Sequence, residues 1–265
     1  MAEEAQSEAG AEALTHLLMV IPFVVSLLAY YVAVYLSRRR GHWPWSRSVL
    51  WSVGIVASVA GIAGPLAERG ESSFPAHMWG HLVMGMIAPV ALVLSAPVTL
   101  ALRTLDVTWA RRLVRVLLSA PVRFVSHPVP AATMNLGGLW VLYSTGLFAA
   151  TQEHTAVHVL VHMHIVVSGY LFTASIIGID PNPHRLRPLY RAIILVLFMA
   201  GHRILAKQIF ANPPPGVPVD QAHVGAMVMY YGGDILDLLL ILILSFQWYS
   251  ARRPVMSARS SVNQS

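Results

Sequence analysis

Histidines spaced four residues apart are the feature of this sequence that points most directly to chemistry. The segment HTAVHVLVHMH contains His154, His158 and His162, which share one face of a helix because residues four apart are neighbours there. A second pair with the same spacing, His77 and His81, opens another apolar segment. Ionisable groups are costly inside a membrane span and usually face the interior of the bundle. The two sets are therefore typical of the lining of a metal or proton site.

The donor types in this pattern favour copper. Neutral imidazole binds copper, zinc and iron, whereas thioethers favour Cu(I). Two imidazoles one helical turn apart can bind one ion, as in HExxH, but the glutamate of that motif is missing from both pairs, so protease chemistry is not predicted. Asp234 is expected to ligate directly or to orient a ligating histidine. The candidate metal ligands are His77, His81, His158, His162, His154, His202, His223, Asp234 and Met84.

A purely structural role is the alternative for each of these residues. Paired histidines can hydrogen-bond between helices, methionines can fill gaps in a core, and a histidine at the membrane interface can simply be hydrated. Asp234 and Asp237 can pair with Arg203 or carry protons. We predict ligation for the two histidine pairs because both occur at one depth of the membrane.

Composition predicts an all-α membrane protein. The 265 residues are 56% hydrophobic and 11% charged, with a mean hydropathy of +0.61. A span needs about 20 apolar residues, and seven such segments nearly exhaust the chain. One membrane domain covering residues 1–265 is therefore predicted, as a bundle of seven transmembrane helices. The predicted spans are roughly 14–36, 49–67, 77–102, 128–150, 156–178, 190–211 and 223–248.

The net charge of +6 reports topology and not a nucleic-acid partner. Of the 18 lysine and arginine residues, 15 lie in four alternate segments between or after the predicted spans. This asymmetry follows the positive-inside rule, so the N-terminus is predicted outside and the C-terminus cytoplasmic. The 15 residues are Arg38, Arg39, Arg40, Arg47, Arg103, Arg111, Arg112, Arg115, Arg123, Arg185, Arg187, Arg191, Arg252, Arg253 and Arg259.

The histidines gather at the opposite side of the membrane. Nine of the 12 lie at or within the outer halves of the predicted spans, and five spans contribute. A single cluster facing the extracytoplasmic side is the simplest interpretation. Because the chain has no cysteine, soft-metal chemistry must use histidine and methionine.

Two further features concern the segments that hold this cluster. Pro89 and Pro97 are expected to kink the third span. The loop at about 103–127 mixes arginines with leucines and valines, which predicts an amphipathic helix on the inner membrane surface.

The sequence resembles the multi-spanning cytochrome c oxidase assembly factors of the CtaG type. The resemblance covers residues from about 45 to 250. It lies in HMWGHLVMGMIAPVALVLSAPVTLALR, in HxxxHxxxH at the start of span five and in DQAHVGAMVMYYGGD at the start of span seven. It implies a multi-pass protein of the bacterial inner membrane that delivers copper to a haem-copper oxidase. It also implies His77, His81, His158 and His162 as copper ligands at the matching positions.

We therefore expect a copper-binding assembly factor that exchanges ligands and is not an enzyme. The expected partners are a cytochrome c oxidase subunit, membrane lipid and an extracytoplasmic copper donor. One alternative is a membrane b-type cytochrome, in which histidines of facing helices bind haem. The other is a copper permease, which requires polar groups that continue to the inner face.

Topology can be tested with a reporter enzyme that is active only outside the cytoplasm. Fused to the C-terminus it should be inactive, and fused to the N-terminus it should be active, because the basic segments hold their side of the membrane in the cytoplasm. Activity of the C-terminal fusion alone would reverse the assignment.

Overall fold

The computed structural model describes residues 2–182 and 184–252 and is helical throughout, with no strand among these residues. A π-helical turn, Val83–Ile87, joins the fourth helix to the fifth. The helices are α1 (Ala2–Ser37), α2 (Trp45–Ile62), α3 (Pro65–Ser72), α4 (Phe74–Leu82), α5 (Ala88–Leu94), α6 (Pro97–Thr104), α7 (Val107–Leu117), α8 (Ala120–Val125), α9 (Pro128–Ser144), α10 (Leu147–Glu153), α11 (Thr155–Ile177), α12 (Pro188–Ala211) and α13 (Val219–Arg252).

Six helical stretches of the described residues are long and apolar enough to cross a membrane. This confirms the predicted all-α, multi-spanning class. The segment predicted as the fourth span forms α9, whose 17 residues reach about 26 Å at 1.5 Å per residue, slightly less than a hydrocarbon core of about 30 Å. The six stretches are Met19–Ser37, Trp45–Ser72, Phe74–Thr104, Thr155–Ile177, Pro188–Ala211 and Val219–Arg252.

The outer surface of the bundle is apolar, as a lipid environment requires. Large side chains such as Leu28, Leu197 and Ile235 are more than half exposed. A water-soluble protein rarely presents apolar patches of this extent. In lipid they are solvated by acyl chains, while every backbone polar group is satisfied inside a helix.

The third predicted span is broken in two places, and both breaks follow from proline. Pro89 lies in the first turn of α5, directly after the π-helical turn. Pro97 begins α6, and Ala96 before it adopts a left-handed conformation with φ of 54°. The carboxylate of Asp180 accepts hydrogen bonds from the free amides of Val98 (3.2 Å) and Thr99 (2.7 Å). The predicted kinks are confirmed.

The fourth to sixth helices run through the centre of the bundle, and α11 approaches them closely. A Cβ on Gly169 would lie 2.6 Å from the carbonyl oxygen of Gly85, so the two backbones are in direct contact. Such contacts between small residues are how helices associate in lipid, where no hydrophobic effect drives them together. This contact brings the start of α11 beside α4, and therefore brings together the two histidine pairs.

The other end of the bundle, here called the arginine end, is built on the basic segments. Arg103 donates to the carbonyl of Arg40 (2.6 Å), and Arg40 donates back to the carbonyl of Arg103 (2.8 Å). The basic segment predicted to form an amphipathic helix contains α7, whose N-cap Asp106 accepts a hydrogen bond from the amide of Trp109 (2.9 Å). No α7 residue is buried.

Candidate metal centre

The histidines of α11 form one half of the site. The rings of His158 and His162 are stacked, with centroids 3.9 Å apart. The Nδ1 of His162 lies 2.8 Å from the carbonyl oxygen of His158. Because a carbonyl oxygen only accepts, this contact holds the ring proton on Nδ1 and leaves the lone pair of Nε2 available for a metal.

Helix α4 supplies the other half. The ring centroids of His77 and His162 are 6.4 Å apart, with the planes nearly perpendicular. The Nε2 of His77 lies 3.2 Å from the hydroxyl of Tyr143, a buried side chain near the end of α9. An outer partner of this kind holds the orientation of a ligating histidine ring. Sequence reasoning missed Tyr143, because a single tyrosine in an apolar helix carries no spacing signal.

These side chains line one pocket of about 420 Å³. The histidine pocket, as we name it, brings together five of the nine predicted ligands, from α4, the π-helical turn and α11. Helix α2 packs closely against this pocket at Gly61, where a Cβ would lie 2.6 Å from the Cβ of Met84. The five predicted residues are His77, His81, Met84, His158 and His162.

A wider opening leads to this pocket from the protein surface. The vestibule, of about 800 Å³, is lined by Glu71, Gln152, Glu153 and Gln221 among others. Both Glu71 and Gln152 also line the histidine pocket. A cation entering here would pass carboxylates before it reached the imidazoles.

His202 of α12 lies deeper in the bundle. Its side chain is 1% exposed, and its ring centroid is 6.5 Å from that of His81, with the two planes 22° apart. Both residues line a small cavity of about 260 Å³, named here the deep pocket, together with Asn135, Ser168 and Phe198. His81 thus belongs to both pockets.

The remaining three predicted ligands lie elsewhere. His154 caps the N-terminus of α11 and is exposed. His223 stacks on Phe210 with centroids 4.0 Å apart. Asp234 accepts a 2.6 Å hydrogen bond from Nε of Arg203, so it forms the pair with Arg203 that was the alternative to metal binding. In the described part of the chain, none of the three lines the histidine pocket or the deep pocket.

The placement of His223 and Asp234 follows from which face of α13 meets α4. That face carries Gly225 and Gly232, where an added Cβ would lie 2.5 Å from Phe74 and 2.3 Å from Leu82, respectively. Met227, grouped by spacing with the two polar residues, is 44% exposed. Small residues therefore decided the packing face, and the polar stripe lies to one side of it.

The arrangement offers pairs of donors and not a closed shell. Among the described residues, no three His, Cys, Asp or Glu side chains lie around one point where they could hold a metal ion. Structural zinc sites are closed by four ligands. Imidazole pairs beside a thioether suit Cu(I) better, because this soft ion is stable with few ligands.

Fold and site together define a multi-spanning helical membrane protein with buried imidazoles at one end. Residues 28–251 match the family described as cytochrome c oxidase caa3 assembly factor (Caa3_CtaG). The chain belongs to this family, as its resemblance to the CtaG-type factors implied.

Related proteins occur in mycobacteria. Uncharacterized proteins of Mycobacterium bovis and Mycobacterium tuberculosis are each 32% identical to this chain, over an alignment that covers 88% of it. One of Mycobacterium leprae is 31% identical to 82% of it. The chain spans about two-fifths of the length of these relatives, between 37% and 39%. No solved structure matches it.

The burial of the histidines predicts their reactivity with diethylpyrocarbonate. His154 is exposed and should be modified first, whereas His81 and His202, at 4% and 1% exposure, should be protected in the folded protein. Mass spectrometry of the protein in detergent measures each site, and the same protein unfolded in denaturant is the control. Early modification of His202 would contradict the buried placement.

Proposed function

We propose that this protein binds copper in the histidine pocket and passes it to cytochrome c oxidase during assembly of the oxidase. The observation that carries the proposal is the convergence of His77 and His81 from α4 and Met84 from the π-helical turn with His158 and His162 from α11. Family membership supports a role in oxidase assembly. The donor set supports copper as the cargo, because imidazole and thioether groups bind Cu(I) and no thiol is present.

Ligand exchange is the chemistry of this proposal, so the protein would not act as an enzyme. Pairs of donors favour transfer, because a partner can add its own ligand before the last imidazole leaves. The carboxylates of Glu71 and Glu153 in the vestibule attract cations and favour loading from an extracytoplasmic copper donor. An oxidase subunit that receives copper would dock at the same opening.

The proposed topology has seven spans, with α9 as the fourth. The end of the bundle that holds the histidine pocket faces the extracytoplasmic side of a bacterial inner membrane, and the arginine end faces the cytoplasm. The distribution of arginines supports this orientation. The bacterial origin of the relatives supports the compartment. Membrane lipid surrounds the apolar outer surface.

Replacing His77 by Ala should weaken Cu(I) binding by about tenfold or more, because one imidazole donor is lost. The matched control is His127→Ala, which removes an imidazole at the arginine end, where His127 caps α9. Competition with a coloured Cu(I) chelator under anaerobic conditions measures both affinities in detergent. Equal affinities in the two variants would remove the histidine pocket from the proposal.

A cellular test addresses delivery. The double variant His158→Ala/His162→Ala should insert normally, because apolar contacts of the other helices still hold the bundle, yet the oxidase should assemble without its full copper content. Excess external copper should restore part of it by mass action. Copper in the purified oxidase is the readout. Full occupancy in cells that contain the variant at normal abundance would refute delivery.

A further inference from the structure

Two histidines that line the deep pocket have buried ring nitrogens without a hydrogen-bond partner. Within the described residues, seven buried side-chain nitrogen and oxygen atoms have no hydrogen-bond partner, and five of them belong to His81, His202 and Asp237. These are both ring nitrogens of His81, Nε2 of His202 and both carboxylate oxygens of Asp237. Orphaned polar groups are costly at any buried position and more so in a membrane. The three ring nitrogens belong to the two histidines that line the deep pocket.

A single cation between the two rings would give one nitrogen of His81 and Nε2 of His202 a partner. We propose that His81 and His202 form a second Cu(I) site in the deep pocket, distinct from the histidine pocket and sharing His81 with it. The inference rests on the proposed function for the identity of the ion. The ring centroids of His81 and His202 are 6.5 Å apart, with their planes 22° apart. This separation leaves room for one metal ion at about 2.0 Å from a nitrogen of each ring.

The surroundings of the two histidines offer few further donors. Besides the two histidines, the deep pocket is lined by Asn135, Ser168, Met86, apolar side chains and Gly85. Of these, the thioether of Met86 is the donor type that suits Cu(I). Linear two-coordinate geometry is accessible to Cu(I), whereas zinc requires four ligands.

Helix α13 shapes the site from behind. A Cβ on Gly233 would lie 2.6 Å from Cε1 of His202 and 2.9 Å from its Nδ1, so only glycine leaves room for the ring in this position. Asp237 follows one turn later on the same face and is 0% exposed. The buried carboxyl group therefore lies on the same side of α13 as the contact with His202.

His81 connects the two sites. It is the only histidine among the described residues that lines both the histidine pocket and the deep pocket. An ion held by His77 and His162 can therefore exchange onto His81 and then onto His202 without entering solvent. The histidine pocket serves as the exchange site and the deep pocket as the store.

Stoichiometry tests the inference. The full chain in detergent is titrated anaerobically with Cu(I) against bicinchoninate. Wild type should bind two equivalents, and His202→Gln should bind one. The matched control His164→Gln removes an exposed imidazole of α11 and should retain two. A Gly233→Ala variant should also bind one equivalent, because its Cβ displaces the ring of His202 without removing a donor. Gly137→Ala, where an added Cβ meets nothing within 4 Å, is its control.

The outcomes separate this inference from the proposed function. Two equivalents in both His202→Gln and Gly233→Ala would overturn the second site and leave copper binding in the histidine pocket intact. A single equivalent in wild type would also overturn it and would mean that the deep pocket holds water only. No Cu(I) binding by wild type would reject the proposed function itself. Since Gly233→Ala keeps every donor, loss of one ion there cannot be attributed to a missing side chain.

Discussion

The need to hold uncharged imidazole rings among apolar helices is the constraint on which the rest of the structure depends. A membrane interior provides no water to satisfy a ring nitrogen, so each ring must find a partner within the bundle. His162 uses the carbonyl of His158, and His77 uses the hydroxyl of Tyr143. His81 and His202 have no such partner for at least one nitrogen. The site is therefore polar in a region where buried polar groups lower the stability of the protein.

Close helix contacts make this arrangement possible. The backbone contact between Gly169 and Gly85 brings α11 against the centre of the bundle, and Gly233 leaves space for the ring of His202. In lipid, van der Waals packing between small residues is a main source of helix association. The same glycines that stabilise the bundle thus set the distances between imidazoles. The helix contacts that fold the bundle therefore also determine the geometry of the site.

Spacing along single helices was predictable from the sequence, whereas the contacts between helices were not. The i, i+4 rule correctly paired His77 with His81 and His158 with His162, and it placed Met84 on the same wall. The rule did not identify the core-facing side of α13. Polarity predicted the face that carries His223 and Asp234, whereas glycines determined which face packs against α4. A repeated small-residue pattern, Gly225 to Gly233, was the signal that could have corrected this. Tyr143 and the link from His81 to His202 depend on tertiary packing that no local pattern encodes.

The apolar half of the bundle limits the direction in which an ion could move through the protein. Beyond Asp237, the interior is filled by a packed cluster of apolar side chains that includes Ile176, Leu195 and Leu244. An ion that crossed toward the arginine end would have to leave its last ligands and enter this cluster without a donor, which costs far more than ligand exchange. A permease needs polar groups along that path. If His81 or His202 holds an ion as proposed, that ion favours the route by which it entered. Loading and unloading through one opening would suit the proposed transfer to a partner docked there.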